Sequence, residues 1–352
     1  MSTVLRRPYL GPKVRGLRAR EIPRDKLLAL AYASTPDEFL NVLKTTEYAV
    51  TVDKLTRETL NELRRELVKI YLERLKSLFL FLSGDAEAKT VVLASVKYFE
   101  YDNIRNVAAA VKAGKNPEDF VLWEPLEFTG RRHVIAGILG SKSISEIGDR
   151  LRQMGHPAHK AFELAGKYGE DKLYIFIDRQ WLEDLYTYMP RSIRVPVGAD
   201  RSIHKFLTDV TEYLNALIAI RARLWGLSAE ELNELLIGTP TPVVLAALKE
   251  APARFLEMAE ATTWGKILVE LVAEAPTLEN IAVTLDNLYP AYMRRLADTY
   301  ASTFTEFSLG ALAALAEYMR AEVLAIIRAA AMIVEGVPVE RRKRVFEALV
   351  RH

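Results

Sequence analysis

Three stretches of this sequence match one another at an offset of about 108 to 112 residues, and a period of that kind means that one supersecondary unit is used repeatedly. The run Thr35, Pro36, Asp37, Glu38, Phe39, Leu40, continued by Val42 and Leu43, reads as a cap followed by an amphipathic helix. One period on, Ser143, Ile144, Ser145, Glu146, Ile147 and Leu151 take the same places, and a second period brings Ala251, Pro252, Phe255 and Leu256. Phe39, Ile147 and Phe255 are therefore equivalent apolar positions, and Tyr48, His156 and Trp264 fall in one column behind them. A second signature keeps the same beat. Asn103, Gly114 and Glu118 recur as Asn215, Gly226 and Glu230, and the glycine and glutamate return as Gly336 and Glu340, with Ala325 at the asparagine position.

That second signature is mechanical in character. Gly114, Gly226 and Gly336 lie where a helix needs a left-handed closing residue. Asn116 before Pro117, and Ser228 before Glu230 and Glu231, are helix starts, in which a side-chain oxygen caps free amides and carboxylates suit the helix dipole. The motif predicts a helix, a glycine turn and a capped helix, and it carries no chemistry. Elsewhere the pattern is also helical: Leu60, Leu63, Leu67, Ile70, Tyr71, Leu75 and Leu78 form one apolar stripe over Arg57–Leu82, with charged residues opposite. Breaks fall at Gly84 and Asp85, Gly114–Pro117, Gly155 with Pro157, Pro190–Gly198, Gly238–Pro242 and Pro276. Leu173–Ile177 is strand-like in composition but is read as helix, like its equivalents in the repeat.

The expected fold class is all-α, built of three tandem helical repeats. Repeat 1, with a basic N-terminal segment, covers 1–100; repeat 2 covers 101–212; repeat 3 covers 213–320; closing helices fill 321–352. A period near 110 exceeds the 33 to 47 residues of tetratricopeptide, ankyrin or HEAT units. Three such units make an arc or, if the ends meet, a ring of approximate threefold symmetry. Closure is favoured by the C-terminal stretch Glu322–Val350, a further copy of the signature helix with no repeat after it. It is also favoured by Leu17, Arg18, Ala19 and Arg20, which compare with Ile220, Arg221, Ala222 and Arg223.

A net charge of +2 on 352 residues gives no global argument for nucleic acid. The charge is uneven, however. Residues 1–26 hold Arg6, Arg7, Lys13, Arg15, Arg18, Arg20, Arg24 and Lys26 against Glu21 and Asp25, a net of +6, which leaves −4 for the rest. Such a segment is either a solvated helix face or a contact with acidic protein or anionic headgroups. With no cysteine, thiolate catalysis, thiolate metal sites and disulfides are excluded. No secretory signal is expected, since no apolar stretch follows Arg6 and Arg7. The most apolar run, Ala321–Val334, is interrupted by Arg328 and is too short to span a bilayer, which needs about 20 residues. Membrane association is expected only through partners or at the surface.

Catalytic and nucleotide motifs are missing. Gly114-Lys115, Gly166-Lys167 and Gly265-Lys266 lack the upstream glycine and the hydroxyl of a phosphate loop, and no Gly-x-Gly-x-x-Gly turn occurs. His156 and His159 could share a helix face, but Pro157 lies between them and no His-Glu-x-x-His pattern surrounds them. Adjacent acids such as Glu183 and Asp184 point about 100° apart on a helix and do not share a site. Trp225 and Trp264 are read as filling the interface between repeats. No catalytic residue, cofactor or metal is expected.

These pieces resemble the C subunit of archaeal and vacuolar-type rotary ATPases, whose eukaryotic form is the d subunit. The opening Tyr9, Val14, Arg15, Leu17, Arg18 and Arg20, the helix-and-turn stretches Asn103–Glu118 and Asn215–Ile237, and the closing Glu322, Arg328, Gly336, Pro338 and Glu340 are similar to that family's. Pro36 and Ala325 depart from its pattern. The resemblance implies an all-helical funnel of three similar domains about a pseudo-threefold axis, with no enzymatic activity. It implies a rotor component at the cytoplasmic face of the cell membrane, peripheral, linking the c-ring in the membrane to the D and F subunits of the central shaft. In that role it transmits torque between ion translocation and ATP synthesis or hydrolysis and binds neither nucleic acid nor nucleotide. Arg6, Arg7, Arg15, Arg18, Arg20 and Arg24 are then candidate partner contacts. The alternative reading is a helical-repeat scaffold unrelated to ATPases, from which partner identity would distinguish it.

Overall fold

The computed structural model describes residues 11–82, 84–192, 201–228, 231, 235–272, 275–305 and 308–351, the side chains of 186–192 excepted. Among the described residues all regular structure is helical. In chain order the α-helices are α1 Gly11–Arg18, α2 Arg24–Tyr32, α3 Pro36–Lys44, α4 Leu60–Phe79, α5 Ala86–Lys112, α6 Trp123–Thr129, α7 Arg132–Ile138, α8 Ile144–Gln153 and α9 His159–Tyr168. They continue as α10 Leu173–Ser192, α11 Ser202–Leu224, α12 Pro242–Lys249, α13 Pro252–Ala259, α14 Thr263–Val272, α15 Leu278–Thr303, α16 Leu309–Val334, α17 Val339–Arg342 and α18 Arg344–Arg351. None is long and apolar enough to cross a membrane.

Local chemistry sets the boundaries. The stripe predicted over Arg57–Leu82 forms α4, shorter at its start because Thr59 donates its hydroxyl to the Lys54 carbonyl at 2.7 Å and fixes a turn there. Leu173–Ile177 opens α10, so tertiary packing overrides its strand-like composition. Thr35 and Ser143 cap α3 and α8 in the same way, accepting the amides of Glu38 and Glu146 at 3.1 and 3.2 Å. The first backbone bond of the helix follows suit in all three copies: Phe39 to Thr35 at 3.0 Å, Ile147 to Ser143 at 3.2 Å, and Phe255 to Ala251 at 3.0 Å. Phe39, Ile147 and Phe255 are all fully buried.

The turn signature has one backbone solution. Gly114, Gly226 and Gly336 sit at φ of 64°, 74° and 71°, a region that glycine alone enters freely. The next residue donates back five positions in each case: Lys115 to Ala110, Leu227 to Ala222, and Val337 to Met332, at 2.9 to 3.1 Å. This is the two-bond helix ending in which a left-handed residue satisfies the last carbonyls. Beyond the turn the copies diverge. Asn116 caps as predicted, accepting the Glu118 amide at 3.3 Å, but the element it starts is a short 3-10 turn, Pro117–Phe120. Ser228 and Glu231 instead bond reciprocally, amide to side chain, at 2.7 and 3.2 Å. Glu118 and Glu340 are exposed, and Glu230 lies outside the described residues.

The chain forms two compact units. One comprises Met1–Val92, Val195–Phe206 and Ala259–His352; the other comprises Leu93–Arg194 and Leu207–Met258. In the first, α16 packs against α3, α4, α15, α17 and α18, while α2 lies on α3 and α18 and α1 lies on α4. Alanines 311, 313, 314, 316, 321, 325, 329 and 330 keep α16 thin, so neighbours approach it closely and it is buried without a break from Leu309 to Val323. At its start Gly310 has no room for a side chain: a Cβ there would lie 2.5 Å from the Ser202 carbonyl oxygen, while the Gly310 amide donates to the Ser202 hydroxyl at 2.8 Å. In the second unit, α6 to α10 pack on one another in sequence.

Pro290 lies inside α15 and cannot donate to the carbonyl of Asp286, four residues earlier. Arg328, the residue that interrupts the apolar run of α16, reaches across to that carbonyl at 3.4 Å and to the Asn287 side-chain oxygen at 2.7 Å. Its charge therefore mends a helix break. Arg328→Met is expected to lower stability to urea by about 1–2 kcal/mol. The loss should be smaller in a Pro290→Ala background, where the restored amide supplies the donor; equal losses in both backgrounds would refute this account.

Candidate functional site

The basic N-terminal segment divides once its side chains are placed. Arg15, Arg20 and Arg24 are exposed, and Arg20 makes only a loose surface pair with Glu47 at 3.9 Å. Arg18 is half-buried, paired with the exposed Asp298 and, at 3.8 Å, with Glu21. Glu21 is shared with Arg294 at 3.1 Å. Burial raises its pKa above the ordinary value, with the two arginines opposing the rise. Arg18 thus fastens the segment to α15, and a solvated face is left to Arg15, Arg20 and Arg24. Arg6, Arg7 and Tyr9 lie outside the described residues.

Directly behind this segment is a buried carboxylate. Glu322, on α16, is sealed from solvent. It accepts hydrogen bonds from the Tyr48 hydroxyl at 2.5 Å, the Tyr318 hydroxyl at 2.7 Å and the Ile22 amide at 3.4 Å. Arg74, from α4, stands 4.0 Å away with its guanidinium 4.1 Å from the Tyr48 ring centre. Burial, reinforced by the negative Glu322, pushes both tyrosines well above their ordinary pKa, so each keeps its proton and donates. Four segments far apart in sequence meet on this one group: Ile22, the Tyr48 loop, α4 and α16.

The second unit repeats the arrangement. Glu100, buried on α5, is bonded by the His156 ring and by Arg131 through two nitrogens at 2.9 and 3.1 Å. His156 Nδ1 accepts the Ala158 amide at 3.1 Å, which leaves Nε2 as the protonated nitrogen that donates to Glu100. Burial opposes the charge on Glu100, but the hydrogen bonds from His156 and Arg131 outweigh it and hold its pKa down to about 2. Glu100 precedes Asn103 by three residues, and Glu322 precedes Ala325 by three. Their ring-bearing partners, His156 and Tyr48, already share one column of the repeat. The sequence reading missed the carboxylates, though the fixed spacing from the asparagine position marks them and adds Glu212 before Asn215.

The repeated asparagines also have a defined task. Asn103 donates to the Leu122 carbonyl and accepts its amide, both at 2.8 Å. Asn215 does the same to Ile237 at 2.8 and 3.0 Å. Each amide side chain thus stands in for a strand partner and clamps the backbone that leaves the turn, which Ala325 cannot do. Of the adjacent acids, Glu183 bonds Arg179 at 2.9 Å, while Asp184 accepts from Tyr101 at 2.8 Å. His159 Nδ1 meets the His156 carbonyl at 2.8 Å. Among the described residues no three His, Asp or Glu come together as metal ligands. Trp264 is buried, but Trp225 is 41 % exposed beside its glycine turn and so fills no interior interface.

Buried carboxylates bonded in this way hold helices in register. Glu100→Gln should destabilise the protein by about 3 kcal/mol at neutral pH, as expected for breaking a buried pair. Because the folded pKa of about 2 lies below the ordinary 4.5, the stabilisation is complete above pH 4.5 and is lost as pH falls through 2. The gap between wild type and variant in urea unfolding should close over that window, and a gap independent of pH would refute the assignment.

The family model described as ATP synthase (C/AC39) subunit matches residues 10–345. The C subunit of an A-type ATP synthase from Methanocaldococcus jannaschii is 23 % identical over 298 residues, 78 % of this chain and 69 % of that protein. The C subunit of a V-type ATP synthase from Deinococcus radiodurans is 24 % identical over 218 residues, covering 61 % and 60 %. The C subunit of an A-type ATP synthase from Pyrococcus horikoshii is 23 % identical over 317 residues, covering 83 % and 79 %.

Proposed function

Because this chain belongs to the family of ATP synthase C/AC39 subunits, we propose that it is the non-catalytic rotor socket of an A-type or V-type ATP synthase. In this reading it lies peripherally on the cytoplasmic face of the membrane, joins the membrane c-ring to the central shaft, and passes torque between them. The supporting observation is the bonding of Glu322, in the closing helix α16, to Tyr48 and Ile22 near the start of the chain. A socket under torque has to resist opening where its two ends meet, and buried directional bonds on a close-packed helix provide that resistance. The same carboxylate-to-ring pairing at Glu100 with His156 and at Glu322 with Tyr48 supports the repetition that this reading requires. Saturated carboxylates and the missing phosphate loop suit a part that carries force and leaves ATP chemistry to other components.

The exposed arginines Arg15, Arg20 and Arg24 are proposed as the electrostatic contact with the ring, and Arg18 as the anchor that holds them in place. Tagged protein recovered from gently solubilised membranes is expected to bring down the small c-ring protein and the shaft proteins. A clean preparation that recovers neither, from membranes with an intact synthase, would leave an unrelated helical scaffold. Reversing Arg15, Arg20 and Arg24 to Glu should weaken ring recovery about tenfold and flatten its salt dependence, because exposed charges are screened within about 3 Å at 1 M salt. Unchanged recovery and salt dependence would remove the arginines from the interface.

A further inference from the structure

The end of α4 departs from the pattern that builds the rest of the helix. Leu63, Leu67, Tyr71, Leu75 and Leu78 are buried at three- and four-residue steps, and Leu82 is buried beyond the last turn. Between them, Leu80 is 75 % exposed and Phe81 54 %. The tip is a formed turn: Phe81 and Leu82 donate to Leu78 at 3.0 and 3.2 Å, Asp85 donates to Leu82 at 2.9 Å, and the Asp85 carboxylate caps α5 by accepting the Ala88 amide at 3.0 Å. The two apolar side chains are thus held outward by a satisfied backbone.

Beside this tip lies α1, which carries Lys13, Arg15 and Arg18 and no acidic residue. α1 packs on α4, and the Lys13 ammonium stands 5.7 Å from the centre of the Phe81 ring. Leucine and phenylalanine at the apex of a turn, with a cationic helix alongside, combine the two attractions of a peripheral membrane surface: shallow apolar insertion and attraction to anionic headgroups. We propose that the turn of Leu80 and Phe81, together with Lys13, touches the bilayer directly and selects anionic lipid. An anionic membrane fits better than a protein groove because the apolar pair projects from a turn and its flanking helix is wholly cationic. This deepens the membrane placement proposed above and is separable from it, since lipid binding needs no other protein.

The test is flotation of the full-length protein with protein-free vesicles of two kinds: phosphatidylcholine alone, and one part phosphatidylglycerol to two parts phosphatidylcholine. The wild type is expected to float with the mixed vesicles and to stay behind with the neutral ones. Leu80→Ser with Phe81→Ser should reduce flotation about tenfold, and Lys13→Glu by several-fold, with unchanged helicity and unfolding temperature confirming that both variants fold. No flotation with anionic vesicles, or flotation indifferent to the substitutions, overturns the proposal. So does loss of c-ring recovery in the double variant without any vesicle binding by the wild type, which would make the tip a protein contact. If vesicle binding behaves as expected while the pull-down recovers no part of the synthase, the lipid contact stands and the rotor reading fails.

Discussion

A carboxylate shut inside a helical core is tolerated only if several elements supply donors to it, and Glu322 draws them from four. Desolvation of a buried charge costs several kcal/mol, and its partners roughly restore that cost, so the cluster adds little net stability over an apolar substitute. What it adds is discrimination. An apolar α16 built largely of alanine and leucine could slide or rotate against its neighbours at small cost, because such surfaces pack acceptably in more than one register. A shift by one turn would strand the Glu322 charge without Tyr48, Ile22 or Arg74, a penalty of about 3–5 kcal/mol. The apolar surface makes the helix stay inside, and the carboxylate decides where along its length the start of the chain attaches.

The same division explains why some features can be read from the sequence and others cannot. Phe39, Ile147 and Phe255 declare themselves because burial of a periodic apolar position follows from the pattern alone. Gly114, Gly226 and Gly336 do so because a left-handed helix ending restricts the residue type. Glu100 and Glu322 look like any solvated glutamate, since a charge on a helix is read as surface unless its partners are known. Those partners lie 56 and 274 residues away. Arg18 stands in a basic run, and only the structure shows that it pairs with Asp298 on α15. Trp225 fails as an interior residue because it directly precedes a glycine turn, where the chain reverses at the surface.

Divergence between the copies follows what each position has to do. Where the backbone leaving the turn passes beside the signature helix, as at Leu122 and Ile237, an asparagine that both donates and accepts is required, and Asn103 and Asn215 supply it. The third copy has no such clamp at Ala325, and α17 and α18 follow Gly336 almost at once. The alanine there belongs to the run of small residues that lets α15 and α4 close on α16.

The column Tyr48, His156 and Trp264 looks unrelated by ordinary substitution scales, yet its members share two properties. Each has a flat ring, and each can carry a polar ring-borne hydrogen, on the tyrosine oxygen, the histidine Nε2 or the indole nitrogen. All three are buried. For the first two the recipient of that hydrogen is a carboxylate at the same place in the repeat, three residues before the asparagine position. Tyr48 and His156 thus repeat one geometry, a ring that ends in a donor to a buried carboxylate, with the residue type varied within it. A phenylalanine in the column would fill the same volume, as Tyr48→Phe would, but it would withdraw the donor from a charge that has no water to turn to. That cost, about 1.5–3 kcal/mol for a hydrogen bond to a charged group, disfavours an apolar ring at the positions of Tyr48 and His156.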